Sequence, residues 1–161
     1  MQIQQTITIP YAQTKEGGGS VDTKEAENKL AGLSAKYTTA IEGVVDISKA
    51  KDVASATIGT VSPIVQTVTT TTTTELTTTP ASTEGESSSA GVTTSESTVS
   101  TTTVTTTPGP SILMVTLAYP TLNYTKLHQN PSVEAELKSK IKEVTKTELS
   151  LSDIDQVAVL V

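Results

Sequence analysis

The sequence predicts an α+β fold made of two β-α-β segments, four short strands and two main helices in all, separated by a spacer that forms no core. Three observations lead there. Residues 2–9 alternate apolar and polar, the period of a half-buried strand. Two stretches, 22–47 and 131–147, carry apolar residues at steps of three and four, the period of an amphipathic helix. Between them, residues 67–107 are about two-thirds Thr and Ser, with Val68, Leu76, Val92, Val99 and Val104 as the large apolar side chains. So little apolar surface does not offset roughly 1–2 kcal/mol of backbone ordering entropy per residue, and the tract is expected to be disordered from 69 to 107. The chain therefore divides into 1–66, 67–107 and 108–161.

In the first segment Ile3, Ile7 and Ile9 share one face of the opening strand, which Pro10 closes. Gly17-Gly18-Gly19-Ser20 reads as a flexible turn. Asp22 followed by Glu25 resembles a capping box with Asp in place of the usual Ser or Thr. One continuous helix is expected from there to Asp46 or Ile47, with Ala26, Leu30, Leu33, Tyr37, Ile41 and Val44 as its stripe. An edge strand at about 58–66 follows, because Pro63 cannot donate to a central ladder.

The last segment opens with 112–118, apolar on both faces and so expected to be a central strand. A helical turn at 122–127 leads to Asn130-Pro131, an N-cap followed by proline at the first helical position. The second main helix runs over 132–147 with Val133, Leu137, Ile141 and Val144 inward. Val157, Val159 and Val161 alternate in a final strand that is still running at the last residue, the pattern of a truncated module.

Composition narrows the chemistry. The chain of 161 residues has no Cys, Phe, Trp or Arg, a net charge of −6 and one histidine. Without Arg and with that charge, nucleic acid is not an expected partner. No cofactor or metal is expected, because thiolate sites are excluded and His128 stands by itself. There is no Gly-x-Ser-x-Gly elbow, and the chain reads as non-catalytic. His128 reads as a polar residue before a helix cap. Asp153 and Asp155 read as a solvated loop, and Glu134, Lys138 and their neighbours as a mixed-charge helix face with i,i+4 pairs. The longest apolar run, 112–118, is far short of the roughly 20 residues of a membrane span. The opening residues have neither the basic nor the apolar region of a signal peptide, which leaves a cytoplasmic protein or an internal piece of a longer one.

Asn123-Tyr124-Thr125 is an N-glycosylation sequon, which makes Asn123 a candidate site, whereas Pro131 excludes Asn130. In the tract, Thr70, Thr72, Thr78, Thr79, Thr102 and Thr106 are candidate O-glycosylation sites, in a setting flanked by prolines.

The strand at 115–117, the short helix with Tyr124 and Leu127, the Asn130-Pro131-Ser132 helix start and the strand at 157–159 together resemble the SEA-type module, a ferredoxin-like α+β domain. The first segment resembles the complementary half of such a module. The resemblance implies the end of one repeat, a mucin-like spacer and the start of the next, in a non-catalytic extracellular or cell-surface repeat protein. Its modules would be spacers or adhesion units on a glycosylated stalk, with neighbouring repeats or extracellular protein or glycan as partners. The alternative is an intracellular ferredoxin-like binding module for a small ligand or protein. Self-cleaving SEA modules carry Gly-Ser before apolar residues in the turn between their second and third strands. On the two-halves reading that turn falls beyond Val161, and Gly19-Ser20-Val21 is a linker. The two segments are expected either to complete one sheet, bringing Ile7 to Val115, or to pair with neighbouring repeats.

Overall fold

A computed structural model describes residues 1–59, 63–74 and 105–161. Among them the chain forms four strands, β1 (Gln2–Ile9), β2 (Ile64–Thr74), β3 (Thr105–Ala118) and β4 (Val157–Leu160). The α-helices are α1 (Thr23–Ala31), α2 (Ser34–Glu42), α3 (Tyr124–His128) and α4 (Pro131–Leu149). One compact unit comprises Met1–Thr70 and Gly109–Val161, and a second comprises Thr71–Pro108, of which the described residues are the outer ends of β2 and β3.

The strands form one antiparallel sheet in the order β2-β3-β1-β4. The two foldable segments therefore complete a single sheet. In the β1–β3 register Ile3 lies opposite Leu117 and Ile7 opposite Leu113. Val115 faces Gln5, so the expected Ile7–Val115 approach is a diagonal one on the same face. On the other side of β1, Ile7 pairs with Val157.

Alternation decides which face is covered. Ile3, Gln5, Ile7 and Ile9 of β1, and Ser111, Leu113, Val115 and Leu117 of β3, are buried. Leu30, Tyr37, Ile41, Val133, Leu137 and Ile141 from the helices join them in one core. The expectation that β3 is buried on both faces is corrected: Met114 is 40% exposed and Ile112 half-buried. β3 is an inner strand because it pairs on both edges, while its second face stays open.

Several boundaries also differ from the sequence reading. The single helix expected from 22 to 47 is two, because Gly32 ends α1 as its C-cap and the backbone turns at Leu33 before α2 begins. Asp22 does cap α1, its carboxylate accepting from the amides of Lys24 and Glu25. Asn130 precedes Pro131 at the start of α4, but its side chain turns back to donate to the carbonyl of Lys126. The edge strand starts at Ile64, after Pro63, and β2 and β3 run into the Thr tract as far as Thr74 and from Thr105. Those strand ends replace the disorder expected at 69–74 and 105–107; the rest of that expectation lies outside the described residues.

The glycine turn is not a slack linker. A Cβ on Gly17 would lie 1.9 Å from the carbonyl oxygen of Tyr11, and Gly18 has φ of +87°, in the left-handed region. Gly17→Ala should therefore destabilise the fold by about 1–3 kcal/mol, because backbone has to move to admit one methyl group.

One polar chain crosses the core. The Thr145 hydroxyl on α4 lies 2.9 Å from the Tyr37 hydroxyl on α2, donates toward Gln5 Oε1 at 2.7 Å and also reaches the carbonyl of Ile141. Burial raises the Tyr37 pKa, so this ring stays a neutral phenol. Gln5 Nε2 is buried with no partner in the fold. Thr145→Val should cost about 1–3 kcal/mol in urea unfolding, since it strands two buried polar groups. Gln5→Leu should cost less, because it removes the unpartnered nitrogen together with the oxygen.

Candidate functional site

The densest grouping of chemically versatile side chains joins α3 to α4. Residues four apart on a helix share a face, and on α3 this brings the Tyr124 hydroxyl to 3.1 Å from His128 Nε2, with the rings 4.5 Å apart. His128 Nδ1 lies 2.7 Å from the Glu134 carboxylate, which also pairs with Lys138 one turn further along α4. The bond from Lys138, followed by the charges of Lys138 and His128, holds the Glu134 carboxyl below its ordinary range.

The i,i+4 pair of Glu134 with Lys138 was legible in the sequence. The tie from His128 to Glu134 was not, because it depends on how the chain turns at Asn130-Pro131. The Tyr124-His128 spacing was the signal available for the remainder. Tyr124 and His128 are both about half exposed. An imidazole with an orienting carboxylate therefore stands at the surface of the α3–α4 junction. Its evident action is to fasten the short α3 to the first turns of α4.

Asn123, the sequon residue, does structural work beside this cluster. Its side-chain oxygen accepts from the Lys126 amide and caps α3, while its nitrogen donates to Asp52 at 2.7 Å. Lys126 in turn donates to the carbonyls of Lys51 and Asp52, so α3 is pinned to the 51–52 turn. Of the tract candidates, Thr70 and Thr72 fall in β2 and Thr106 in β3. Thr78, Thr79 and Thr102 lie outside the described residues.

Asp153 and Asp155 do not converge. Asp153 accepts from the Asp155 amide and forms a capping box with Gln156 at a 3-10 turn before β4. Among the described residues no three His, Cys, Asp or Glu side chains are placed to share a metal ion, and no helix is long and apolar enough to cross a membrane. A groove of about 330 Å³ runs between α2 and α4 over Ala40 and Val144, with the Lys36–Glu148 pair at its rim. No family model, curated protein or solved structure matches the chain.

The Glu134 cluster has a pH signature. A carboxyl whose pKa is lowered on folding adds stability above its unfolded pKa and loses it as pH falls through the folded value. Glu134→Gln should therefore cost about 0.5–1 kcal/mol at neutral pH. The difference from the parent chain should close as pH falls through the lowered folded-state value, where the carboxylate is protonated in both states. Urea titrations at several pH values check this.

Proposed function

We propose that the chain is one SEA-like module with a ferredoxin-like plait and a Ser/Thr-rich insertion, serving as a non-catalytic spacer or adhesion unit on an extracellular glycosylated stalk. The observation that carries this is the place of the tract. β2 ends at Thr74, β3 begins at Thr105, and the two strands are neighbours in the sheet. Seventeen of the thirty residues at positions 75–104 are Ser or Thr, and there is no lysine among them. A hydroxyl-rich insertion between adjacent strands leaves the sheet order intact and supplies acceptors for O-linked sugar.

The order of elements supports the plait. Each crossover, β1 to β2 and β3 to β4, carries helices and skips one strand, so β1 and β2 flank β3 while β3 and β4 flank β1. Two interleaved β-α-β units of this kind give the ferredoxin-like arrangement. The same neighbours arise whether the chain is read in its own order or as two permuted halves, which is why a two-repeat reading of the sequence suggests the same sheet. On the one-module reading the second turn lies within positions 75–104, where no Gly-Ser dipeptide occurs, and the module does not cleave itself.

Secretion of the full chain from a eukaryotic host, followed by mass spectrometry, tests the proposal. Hexose-containing mass increments on the peptides covering 75–104 are expected. The folded Asn123 amide is engaged by Asp52, so sugar there has to be added before the α3 cap closes. A tract recovered at its unmodified mass would overturn the stalk reading.

A further inference from the structure

The sheet ends at β4, and the bonding pattern shows which of its backbone groups are turned outward. Met1 and Tyr119 exchange both backbone bonds, at 3.0 and 2.8 Å, one step beyond the Gln2–Ala118 pair. In an antiparallel ladder such pairs recur at every second residue, so the odd residues of β1 bond to β3 and the even ones, Gln4 and Thr6, bond to β4. Their partners on β4 are Leu160 and Ala158. Val159, between those two, therefore turns its N–H and C=O away from β1. Val157 agrees with this alternation, since its N–H goes to the carbonyl of Ile154 instead of to β1. Among the described strands none lies beyond β4.

Beside this edge runs a groove of about 530 Å³, lined on one side by Ala135, Lys138, Ser139 and Lys142 of α4 and on the other by Ile154 and the middle of β4. Ala135 and Ser139, one helical turn apart, are small and exposed, and they leave room next to the half-buried Val159. Two lysines line the groove and no acidic side chain does; Asp153 and Asp155, at the turn before β4, stand outside it. Lys138 pairs with Glu134, whereas Lys142 has no ion-pair partner among the described residues.

We propose that this groove binds an extended acidic peptide, which adds to β4 as a fifth, antiparallel strand. The outward N–H and C=O of Val159 call for a backbone that is itself extended and presents one acceptor and one donor from a single residue. The side chain of that residue lies on the helix side, next to Val159 and the small Ala135 and Ser139, and so is apolar. On the same side, the side chains two residues before and after it meet Lys138 and Lys142, and so are acidic. β4 is four residues long, which limits the addition to about five residues of the partner and makes it weak. A second copy of β4 is a poorer occupant, because a two-fold pairing would set Lys138 and Lys142 of one copy against the same residues of the other. The site is separate from the stalk role proposed for the tract.

NMR titration of the ¹⁵N-labelled full chain with the capped peptide Thr-Glu-Thr-Val-Thr-Glu-Thr tests this. Saturable shifts of the amides at 157–161 and 135–142 are expected, with a dissociation constant of about 0.1–1 mM. Replacing both Glu of the peptide by Gln, or Lys142→Glu in the chain, should weaken binding at least about fivefold. Lys24→Glu makes the same charge change at an exposed position of α1 outside the groove and should leave binding unchanged. N-methylation of the peptide's central Val should abolish binding, because that amide donates to the C=O of Val159; N-methylation of the next Thr, whose amide points away, should not. The peptide variants keep the test decisive should the chain variant fail to fold. Absence of saturable shifts at β4, or binding that withstands the Gln peptide or the N-methylated Val, would overturn the proposal. So would β4 shifts that depend on the concentration of the chain alone, the sign that a second copy holds the edge.

Discussion

The eight-residue pairing of β1 with β3 is the interaction on which the rest of this structure depends. β1 and the start of β2 come from the first segment, and these two strands do not touch within the sheet; neither do β3, most of which lies in the last segment, and β4. Neither segment can form a two-stranded sheet from its own residues. Among the described strands every ladder except β2–β3 runs through β1, and β2–β3 itself joins the two segments. The two halves are thus thermodynamically one object.

This interleaving explains how the chain tolerates a long insertion. By loop-closure scaling, thirty residues where a two-residue turn would serve cost about 2.4 kcal/mol more. That sum is borne by a contact surface comprising two inner strands and four helices. An insertion inside either crossover would instead separate a helix from the sheet it covers. The tract lies in the connection between β2 and β3.

The core is built without large aromatic residues, apart from tyrosines. Ile, Leu and Val from β1, β3 and the helices fill it, and the polar chain of Gln5, Thr145 and Tyr37 runs across the layer. A buried amide in an inner strand is costly, and it fixes which helix positions face β1. The buried tyrosines stay neutral phenols; for Tyr119 as for Tyr37, burial raises the pKa. At the surface, specificity passes to short-range devices: the Asp22 cap, the Asn123 cap and the His128–Glu134 tie.

The sequence by itself determined the strands at 2–9 and 157–160, the start of α4 at proline, and most of the inward helix stripes, because each depends on local periodicity and capping; on α4 the expected Val144 is only half-buried and Thr145 takes the buried place. It also determined that the strands carry no charge. The break at Gly32 was not legible in the periodicity, since the apolar stripe continues across it; the fold shows Gly32 as the C-cap of α1 and the turn at Leu33 before α2. The same holds for the open face of β3: Ile112 and Met114 have the composition of buried residues, and whether a second layer covers them is a property of the assembled sheet. The union of Tyr124, His128 and Glu134 was likewise settled by the turn at Asn130-Pro131, where two helices meet at an angle that no residue spacing encodes.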